Sequence, residues 1–379
     1  MKITLLYLNL NQGGVQRMMV NVANYLHANG YDVTVVLCRQ EGHYQDILNA
    51  GIRIVSLESD SRLSLIRFLT TYLKKEKPDV LFTAVPHLNN IALLSRALAR
   101  VDTRIIISER SNTVEEFNKS PLSAYKLSFG LIPILYRFAD AIIAVSKGVA
   151  DDLSKVALIP RSTISVIYNP AFSPKLLTEA IEPVNDRWLA NKEYPVIVGV
   201  GRLTEQKDFG LLIDAVYQLN QLRPVRLLII GEGPLRDELQ RKIDGYKLAN
   251  FVRMVGFQGK PTAWINKADA FVLSSKWEGF GNILVEALAA GTTIVSTDCK
   301  SGPAEILADG KYGYLVPVSN VPALADAIKY ALDNPLPKTM LQERAKEYDV
   351  SIVMKKYEKI ITGFSIKRQK QKSYGENVY

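Results

Sequence analysis

Apolar runs alternate with amphipathic stretches along the whole chain. The run at 2–10 is followed by an amphipathic stretch at 15–30, which ends at a glycine, and by a second apolar run at 32–38. Apolar runs of this length are typical of strands that are buried on both faces of a parallel sheet. The stretch between them has the pattern of a crossover helix. The first 38 residues therefore predict a βαβ unit.

The alternation continues and then restarts in the second half of the chain. Further strands are predicted at 79–85, 104–109, 141–146, 195–201, 225–231, 251–256, 270–275, 292–297 and 313–317. A chain of 379 residues is too long for one ordinary core, so two domains are expected. The predicted fold class is α/β, with two doubly wound Rossmann-like domains facing each other across a cleft.

Prolines and mixed polarity mark the joint between the two halves. We predict an N-terminal domain at 1–169, a linker at 170–192 and a C-terminal domain at 193–350. Residues 351–379 predict a helix that packs back toward the N-terminal domain, followed by a basic, polar tail. Ligands of such folds bind beyond the carboxyl ends of the strands, so the loops after the strands are where chemistry is expected.

Composition places the chain among water-soluble globular proteins. Hydrophobic residues make up 47% of the chain and charged residues 22%. No apolar run approaches the roughly 18–20 residues that a membrane-spanning helix needs. The amino terminus shows no signal-peptide cleavage site, so a cytoplasmic protein is expected. Cys38 and Cys299 are far apart and, with three histidines, form no recognisable disulfide or zinc pattern.

The net charge of +9 is unevenly distributed. Residues 1–169 carry +5 and residues 351–379 carry +5, whereas residues 170–350 carry −1. A basic surface suits nucleic acid, an anionic membrane or a phosphate-bearing substrate, and it also occurs as an ordinary solvated face. Because no nucleic-acid-binding motif accompanies the charge, nucleic acid is not expected as a partner.

Two glutamates flank a glycine-rich turn after the predicted strand at 270–275. Glu278 and Glu286 are eight residues apart, with Gly279 and Gly281 between them, and a helix is predicted to begin near Asn282. The glycines and the helix N-terminus suit a phosphate group. The carboxylates suit neutral hydroxyl groups, which donate hydrogen bonds to them. A ligand with both phosphate and polyol parts, such as a nucleotide sugar, fits the whole arrangement.

A pair of cations follows another predicted strand of the same domain. Arg202 comes directly after the strand at 195–201, and Lys207 lies just before the next helix. A planar guanidinium and a compact ammonium together match a diphosphate. On its own, such a pair is more often simply solvated. Its position in the same domain as Glu278 and Glu286 favours the diphosphate site.

These motifs together resemble the retaining glycosyltransferases with the GT-B fold, of family four, which includes bacterial capsule, O-antigen and glycan-assembly enzymes. The segment "EGFGNILVEALAAGTTIV" carries the E-x7-E motif, Glu278 to Glu286. The motifs that accompany it are "GRLTEQKDF", "AVSKGVADDL", "VIYNP" and "SGPAEIL". The resemblance covers nearly the whole chain, whereas E-x7-E alone would be weak.

The resemblance implies a role for each matching residue of the second half. Arg202 and Lys207 neutralise the donor diphosphate and act in catalysis, Glu286 binds the ribose, and Glu278 holds the sugar near the reacting carbon. Further donor contacts are implied for Gly279, Phe280, Gly281, Asn282, Gly256 and Phe257, the last two at the nucleobase. Glu305 lies near the same pocket, either as a contact or as an orienting or capping residue.

The first half supplies the acceptor side and a glycine loop. Gly13 and Gly14 match the loop that faces the donor phosphate and the acceptor, with a tight strand-to-helix turn as the alternative. Many relatives have a histidine after the strand that matches 104–109, but this chain has Glu109 and Arg110 there. We predict Glu109 as a catalytic group near the acceptor, with a surface ion pair to Arg110 as the alternative. His87 and Arg110 are further acceptor-side candidates.

The resemblance implies front-face transfer from a UDP-sugar to a growing glycan, with a polyprenyl-pyrophosphate-linked acceptor. The chain contains no Asp-x-Asp triplet, so we expect neither a metal ion nor another cofactor. The apolar segment 121–140 predicts either contact with an anionic membrane or a buried helix. A peripheral location on the inner face of the plasma membrane is therefore expected.

Two alternatives from other functional classes stay open. A nucleotide-sugar epimerase or a phosphorylase shares related folds, but the acid/base set of the first and a pyridoxal-bearing lysine for the second are not evident. A non-catalytic glycan- or lipid-binding relative is the other alternative. The intact set of Arg202, Lys207, Glu278 and Glu286 argues against it, because a protein without activity need not keep that set.

Overall fold

The computed structural model describes residues 1–11, 14–39, 41, 43–59, 61–112, 114–115, 117 and 124–363. These residues form two compact units. The first unit is Met1–Pro170 together with the segment that starts at Val350, and the second unit is Ala171–Asp349. Each unit is built around its own parallel sheet.

The first unit contains seven strands within the described ranges. They are β1 (Lys2–Tyr7), β2 (Asp32–Leu37), β3 (Arg53–Ser56), β4 (Val80–Ala84), β5 (Arg104–Glu109), β6 (Ala141–Ala144) and β7 (Ile164–Val166). The helices beside them are α1 (Gly14–Ala28), α2 (Arg62–Glu76), α3 (Pro86–Ala99), α4 (Ala124–Leu135) and α5 (Lys147–Ala157).

The strand order in the first unit is β3-β2-β1-β4-β5-β6-β7, and neighbouring strands are parallel. Strand β1 aligns Ile3 with Val33 on one side and with Val80 on the other. Both faces of the sheet are covered, which explains why its strands are almost continuously apolar. The order reverses between β1 and β4, where a doubly wound sheet opens a crevice for ligands.

The second unit repeats this architecture. Its described strands are β8 (Val196–Val200), β9 (Arg226–Ile230), β10 (Val252–Gly256), β11 (Ala270–Leu273), β12 (Ile294–Thr297) and β13 (Tyr314–Val316). Its helices are α6 (Pro174–Ala180), α7 (Arg187–Ala190), α8 (Phe209–Asn220), α9 (Arg236–Gly245), α10 (Pro261–Lys267), α11 (Asn282–Ala290), α12 (Pro303–Ile306), α13 (Val321–Asp333) and α14 (Lys338–Lys346).

The parallel sheet of the second unit has the order β10-β9-β8-β11-β12-β13. Here the order reverses between β8 and β11. A core of aliphatic side chains from β8, β9 and β11 and from helices α8 and α13 fills one face. Burial of these side chains supplies most of the stabilising free energy of the unit.

The last described helix, α15 (Val350–Thr362), belongs to the first unit. Its apolar residues Val353, Met354, Tyr357 and Ile361 are buried in the core of that unit. The Tyr357 ring makes an edge contact with Phe82 of β4, at 5.9 Å between ring centroids. Its hydroxyl oxygen accepts a hydrogen bond of 2.7 Å from Nη1 of Arg110.

The predicted linker at 170–192 is more ordered than an ordinary linker. From Ala171 on it clusters with the second unit and contains helices α6 and α7. Trp188 of α7 is buried, and Asp186 caps that helix by accepting from the backbone N–H groups of Trp188 and Leu189. Strands β3 and β7 were not identified from the pattern, because they are short strands at the two edges of the sheet and most of their residues are not fully buried.

Replacing Tyr357 tests how α15 holds the first unit. Tyr357→Phe leaves the buried donor of Arg110 without its acceptor, which costs about 1–3 kcal/mol of the free energy of unfolding. Tyr357→Ala also opens a cavity and is expected to cost about 3–5 kcal/mol. Urea denaturation measures both. The control is Tyr330→Phe at an exposed tyrosine, and an equally small effect of Tyr357→Phe would contradict the account.

Candidate active site

The predicted donor residues lie where the strand order of the second unit reverses. The loop after β8 carries Arg202 and Lys207, and the loop after β11 carries Glu278. Because β8 and β11 are adjacent parallel strands, their carboxyl ends place the two loops side by side. The structure therefore brings these three residues to one edge of the sheet.

Hydrogen bonds fasten the two loops to each other. The Ser274 hydroxyl donates to the Lys207 carbonyl oxygen at 2.8 Å, and the Lys276 backbone N–H donates to the Gln206 carbonyl oxygen at 2.8 Å. The Gln206 side-chain amide donates to the Trp277 carbonyl oxygen at 3.0 Å. These bonds fix the spacing between the β8 loop and the β11 loop.

Lys207 and Glu278 form an ion pair at the centre of this junction. The Lys207 Nζ atom lies 2.5 Å from Oε1 of Glu278, and the two side chains are 16% and 7% exposed. The Ser275 hydroxyl donates to the same carboxylate oxygen at 2.7 Å. A partly desolvated pair with a further hydrogen bond holds both charges in place more firmly than a surface pair does.

The charges of Glu278 and Lys207 act on the pKa of the nearby Cys299 thiol. Burial raises the pKa of the Cys299 thiol well above its usual range, and the Glu278 carboxylate raises that pKa further. Lys207 opposes the effect of Glu278. The thiol therefore stays protonated and acts as a small apolar side chain beside the ion pair.

Arg202 lies on the same loop, but its side chain is exposed to solvent. Within the described residues its guanidinium has no ion-pair partner. The backbone around it is fixed by a close approach of two loops. A Cβ atom on Gly231 would lie 1.9 Å from the Gly201 carbonyl oxygen, and one on Gly233 would lie 2.5 Å from the Leu203 carbonyl oxygen. Only glycine fits at these two positions.

The turn between the two glutamates is held by another close approach. A Cβ atom on Gly302 would lie 1.9 Å from the Phe280 carbonyl oxygen. The Phe280 ring is buried against Tyr348, at 5.5 Å between ring centroids. Gly281 has φ of 93° and precedes the first residue of α11. Phe280 therefore anchors the turn by packing inside the unit.

Helix α11 begins directly at this turn. Asn282 is its first residue, and Glu286 lies four residues later on the same face of the helix. Both side chains are half-buried. The helix dipole favours an anion at this end of α11.

The remaining donor-side candidates lie on neighbouring loops. Gly256 is the last residue of β10 and has φ of 78°, and the Phe257 side chain that follows it is 72% exposed. Glu305 lies in the short helix α12, where its backbone carbonyl accepts from the Arg344 guanidinium at 2.7 Å. The role of Glu305, as a ligand contact or as an orienting or capping residue, stays a prediction.

In the first unit, Glu109 ends strand β5 and is fully buried. The Asn89 side-chain amide donates to Glu109 Oε1 at 2.8 Å, and the Tyr136 hydroxyl donates to the same oxygen. Asn89 and Tyr136 are also 0% exposed. These hydrogen bonds hold the buried carboxylate oxygen in place. The role of Glu109 toward an acceptor stays a prediction.

Strained backbone joins helix α3 to the end of β5. Val85, just before α3, has φ of 81°, which is uncommon for a β-branched residue. Its N–H and the Asn89 side-chain amide both donate to the Ser108 carbonyl oxygen, at 3.2 Å each. Strain of this kind persists where the surrounding contacts demand it, often at functional sites.

The alternative of a surface ion pair between Glu109 and Arg110 is wrong, because both side chains are buried. Arg110 instead donates to the Tyr357 hydroxyl at 2.7 Å and to the Asn169 side-chain carbonyl oxygen. The guanidinium thus connects the end of β5 with α15 and with Asn169, near the end of the Met1–Pro170 segment.

His87 is the second residue of helix α3. Burial lowers the pKa of its imidazole from 6.5 to about 4, and the charge of Arg62 lowers it further. The imidazole is therefore neutral at physiological pH. Gly14 is the first residue of α1, whereas Gly13 lies outside the described residues.

Several functional positions were missed by sequence reasoning. Ser275 and Gln206 tie the two donor loops together, and Asn89 and Tyr136 hold Glu109. Their residue types carry no periodicity, and their partners are distant in sequence. The close backbone contacts of Gly231 and Gly233 could have been predicted from the sequence, because two glycines directly after a strand indicate a close approach of backbone.

Comparison with known proteins places the chain in a family. Residues 12–171 match the family model "Glycosyltransferase Family 4", and residues 181–348 match the model "Glycosyl transferases group 1". Together the two matches cover most of the chain. The chain belongs to the glycosyltransferases with the GT-B fold, of the family-four type.

The relatives extend over nearly the full chain. An N-acetylgalactosaminyltransferase of Campylobacter jejuni that acts on a diphospho-undecaprenol-linked disaccharide is 29% identical over 354 residues, which cover 91% of this chain and 94% of the relative. The apo structure of the lipopolysaccharide outer core galactosyltransferase WaaB has a TM-score of 0.78 at 20% identity and covers 96% of this chain and 99% of its own. Anabaena HepE in complex with UDP has a TM-score of 0.77 at 19% identity and covers 96% and 100%. The two structures share the fold.

The lowered pKa of His87 predicts a pH dependence of stability. Below pH 6.5 the unfolded chain binds a proton at this histidine, whereas the folded protein does not until about pH 4. The free energy of unfolding should therefore fall as pH drops through this window, by about 3 kcal/mol at its lower end. Above pH 6.5 this contribution is complete.

Urea denaturation of wild type and His87→Gln at several pH values measures this effect. The difference in stability between the two proteins should be constant at pH 7.5 and above, where both side chains are neutral. It should then shift in favour of the variant as the pH is lowered. A parallel pH dependence of the two proteins would contradict the assignment.

Proposed function

We propose that this glycosyltransferase transfers a sugar with retention of configuration from a nucleotide sugar, UDP being the expected nucleotide, to a growing lipid-linked glycan. The observation that supports the proposal most is the junction of the β8 and β11 loops. It combines Lys207, Glu278 and the exposed Arg202 at the switch point of a parallel sheet. A diphosphate with an attached polyol matches this combination of charges.

The donor is expected to lie along the carboxyl edge of the second sheet. Arg202 and Lys207 neutralise the diphosphate, and the N-terminus of α11 adds a favourable potential. Glu278 and Glu286 accept hydrogen bonds from hydroxyl groups of the sugar and the ribose. The choice of UDP is supported by the UDP complex of the similar Anabaena fold. Whether a hexose or an N-acetylhexosamine is moved depends on sugar contacts beyond these charges.

The proposed reaction exchanges two bonds at the anomeric carbon. The bond from that carbon to the diphosphate oxygen breaks, and the acceptor hydroxyl forms a new bond on the same face. The acceptor proton passes to the departing diphosphate, whose charge Arg202 and Lys207 stabilise. We propose that these cations serve in place of a metal ion, so that the reaction needs no cofactor.

The expected acceptor is a polyprenyl-pyrophosphate-linked glycan of bacterial surface polysaccharide assembly. The Campylobacter relative is named for a diphospho-undecaprenol acceptor, and WaaB is named for lipopolysaccharide. The family match favours transfer over the epimerase and phosphorylase alternatives. A turnover assay decides between an enzyme and a non-catalytic relative.

The first unit offers a surface for an anionic membrane. Helix α3 contacts both α2 and α4. They and the turn after α4 expose Leu63, Phe68, Leu98, Ile134 and Phe138. Helix α4 also buries Phe129 and Ile132, so it is neither a fully buried helix nor a purely interfacial one. Across the described ranges, every helix is too short or too polar to span a bilayer.

We therefore propose a peripheral location at the inner face of the plasma membrane. The net charge of +5 on residues 1–169 favours an anionic lipid surface. Residues 121–123 of the apolar segment lie outside the described part of the chain.

The donor site is tested with Arg202→Ala. Because Arg202 is exposed, its loss should leave the fold intact and remove a charged contact worth about 1.5–3 kcal/mol, so that UDP affinity falls by roughly 10- to 150-fold. Isothermal titration with UDP measures the affinity, and radiolabelled UDP-sugars with a polyprenyl-pyrophosphate-linked glycan measure turnover. Arg223→Ala, at an exposed ion pair of the same unit, is the control.

Loss of UDP affinity in Arg202→Ala but not in Arg223→Ala would support the site. Unchanged UDP affinity in Arg202→Ala would rule out the proposed position of the diphosphate. Product analysis by NMR then reports whether the anomeric configuration is retained.

Membrane contact is tested with the double variant Ile134→Ser and Phe138→Ser. Two exposed apolar side chains that enter the lipid interface contribute about 1.5 kcal/mol or more each, so partitioning onto vesicles should fall at least tenfold. Co-sedimentation with vesicles containing phosphatidylglycerol measures it. Leu222→Ser, an 80% exposed leucine of the second unit, is the matched control. Equal sedimentation of the double variant and wild type would contradict the proposal.

A further inference from the structure

A cleft lies at the amino ends of three strands of the second unit. Tyr194 lies just before β8, Arg226 is the first residue of β9, and Phe251 directly precedes β10. These side chains line an open cleft of about 840 Å³. The candidate donor loops follow the carboxyl ends of the same sheet. Strands of five residues, at about 3.3 Å per residue, separate the two edges by roughly 15 Å. The cleft is therefore a different place from the donor site.

Two guanidinium groups pack on the ring of Trp188, which also lines the cleft. The guanidinium carbon of Arg226 lies 5.1 Å from the Trp188 ring centroid and 5.0 Å from the Tyr194 ring centroid. That of Arg253 lies 4.4 Å from the Trp188 ring centroid. Contacts of this kind restrain a planar guanidinium, so Arg226 is a fixed cation at the wall of the cleft.

Much of the hydrogen-bonding capacity of the cleft is unused within the described residues. The Arg226 side chain makes one hydrogen bond there, from Nη2 to Oε2 of Glu193 at 2.8 Å, and its Nε–H group has no acceptor. The Arg187 side chain is exposed and has no ion-pair partner in the same ranges. The side-chain amides of Asn191 and Asn250 are also exposed at the cleft. A ligand would thus meet guanidinium and amide donors.

The charge of the cleft favours an anion. Its lining residues include the cations Arg187, Lys192 and Arg226 and one carboxylate, that of Glu193. Lys192 is paired with Asp269 at 2.8 Å, which leaves Arg187 available. The Glu193 side chain is 63% exposed while its carboxylate contacts Arg226. Because a largely exposed carboxylate gains little from such a pair, another carboxylate can take its place at small cost.

The remaining walls suit a sugar ring. The rings of Tyr194 and Phe251 are half-buried, with 5.9 Å between their centroids. Aromatic rings offer an apolar face to the C–H face of a pyranose, and amides such as those of Asn191 and Asn250 suit its hydroxyl groups. The cleft volume lies within the range of about 300–1,000 Å³ that is usual for small-molecule sites. A ligand with hydroxyl groups, an apolar ring face and a carboxylate is an acidic saccharide.

We propose that this cleft binds an acidic saccharide, whose carboxylate replaces that of Glu193 at Arg226. Arg187 supplies a second cation, and Tyr194 and Phe251 contact the sugar ring. The site lies apart from the donor site and does not depend on it. It gives the enzyme a second place at which to hold a glycan. The competing explanation is purely structural: the packing of two arginines on Trp188 holds this part of the chain against the sheet.

Uronate oligosaccharides test the proposed site. Isothermal titration of the full chain uses tetragalacturonate and a hyaluronan hexasaccharide as acidic probes. Carboxyl-reduced tetragalacturonate is the matched neutral ligand. Wild type should bind tetragalacturonate roughly tenfold or more tightly than the reduced form, because only the acid pairs with the guanidinium groups.

Replacing Glu193 gives a change of opposite sign from an ordinary loss of contact. Glu193→Ala should bind the acidic probes roughly threefold or more tightly than wild type, because it removes the carboxylate that competes for Arg226. Its affinity for the reduced tetramer should not change. Glu238→Ala changes the net charge equally at an exposed position of α9 outside the cleft, and it should behave as wild type.

Replacing Arg187 removes the available cation. Arg187→Ala should bind the acidic probes roughly threefold or more weakly than wild type. Because Arg187 is exposed and far from the donor loops, UDP affinity should stay the same. Arg241→Ala, at an exposed arginine of α9 that does not line the cleft, is the matched control.

Each outcome bears on the proposal. It is wrong if neither acidic probe binds, if the reduced tetramer binds as tightly as the acid, or if inorganic phosphate at equal concentration displaces the saccharide. Binding that Glu193→Ala and Arg187→Ala leave unchanged would place the saccharide outside this cleft and overturn the assignment. Tighter binding in the first variant and weaker binding in the second support it. UDP affinity, measured on the same proteins, reports on the donor site alone.

Discussion

The ion pair between Lys207 and Glu278 is the interaction on which the candidate donor site depends. It joins the loops after two adjacent strands at the one place in the second sheet where the strand order reverses. Each charge would be costly to leave alone at this degree of burial. Each is also a group that a nucleotide sugar needs, one for phosphate and one for hydroxyls. In this structure the two groups therefore hold each other in position and present opposite charges side by side.

Glycines allow the surrounding loops to pack closely against this junction. Gly231 and Gly233 let the β9 loop lie against the backbone that carries Arg202, and Gly302 does the same for the turn at Phe280. Backbone contacts of this closeness leave little freedom to the loops. As a result the exposed Arg202 side chain extends from a fixed backbone. Preorganisation of this kind reduces the entropy lost when a ligand binds.

In the first unit, hydrogen bonds between buried polar side chains fix the end of strand β5. Asn89 and Tyr136 surround the Glu109 carboxylate, and Arg110 ties the neighbouring residue to Tyr357 of the last helix. These side chains come from α3, β5, the turn after α4 and α15. The end of β5 is thus fixed by elements that are far apart in the chain. Val85, strained just before α3, is held by the same set of bonds.

The sequence by itself determined the α/β class, the two parallel sheets and the loops in which the charged residues lie, because buried strands and their following glycines leave a local pattern. It also indicated the family, through motifs spaced along the chain. Only the tertiary structure decided that Lys207 pairs with Glu278 across 71 residues and that Glu109 is enclosed rather than paired with its neighbour Arg110. It also assigned residues 171–192 to the second unit. The physical reason is that hydrogen bonds and ion pairs between loops depend on which strands are adjacent, and strand order is not encoded in any local stretch of residues.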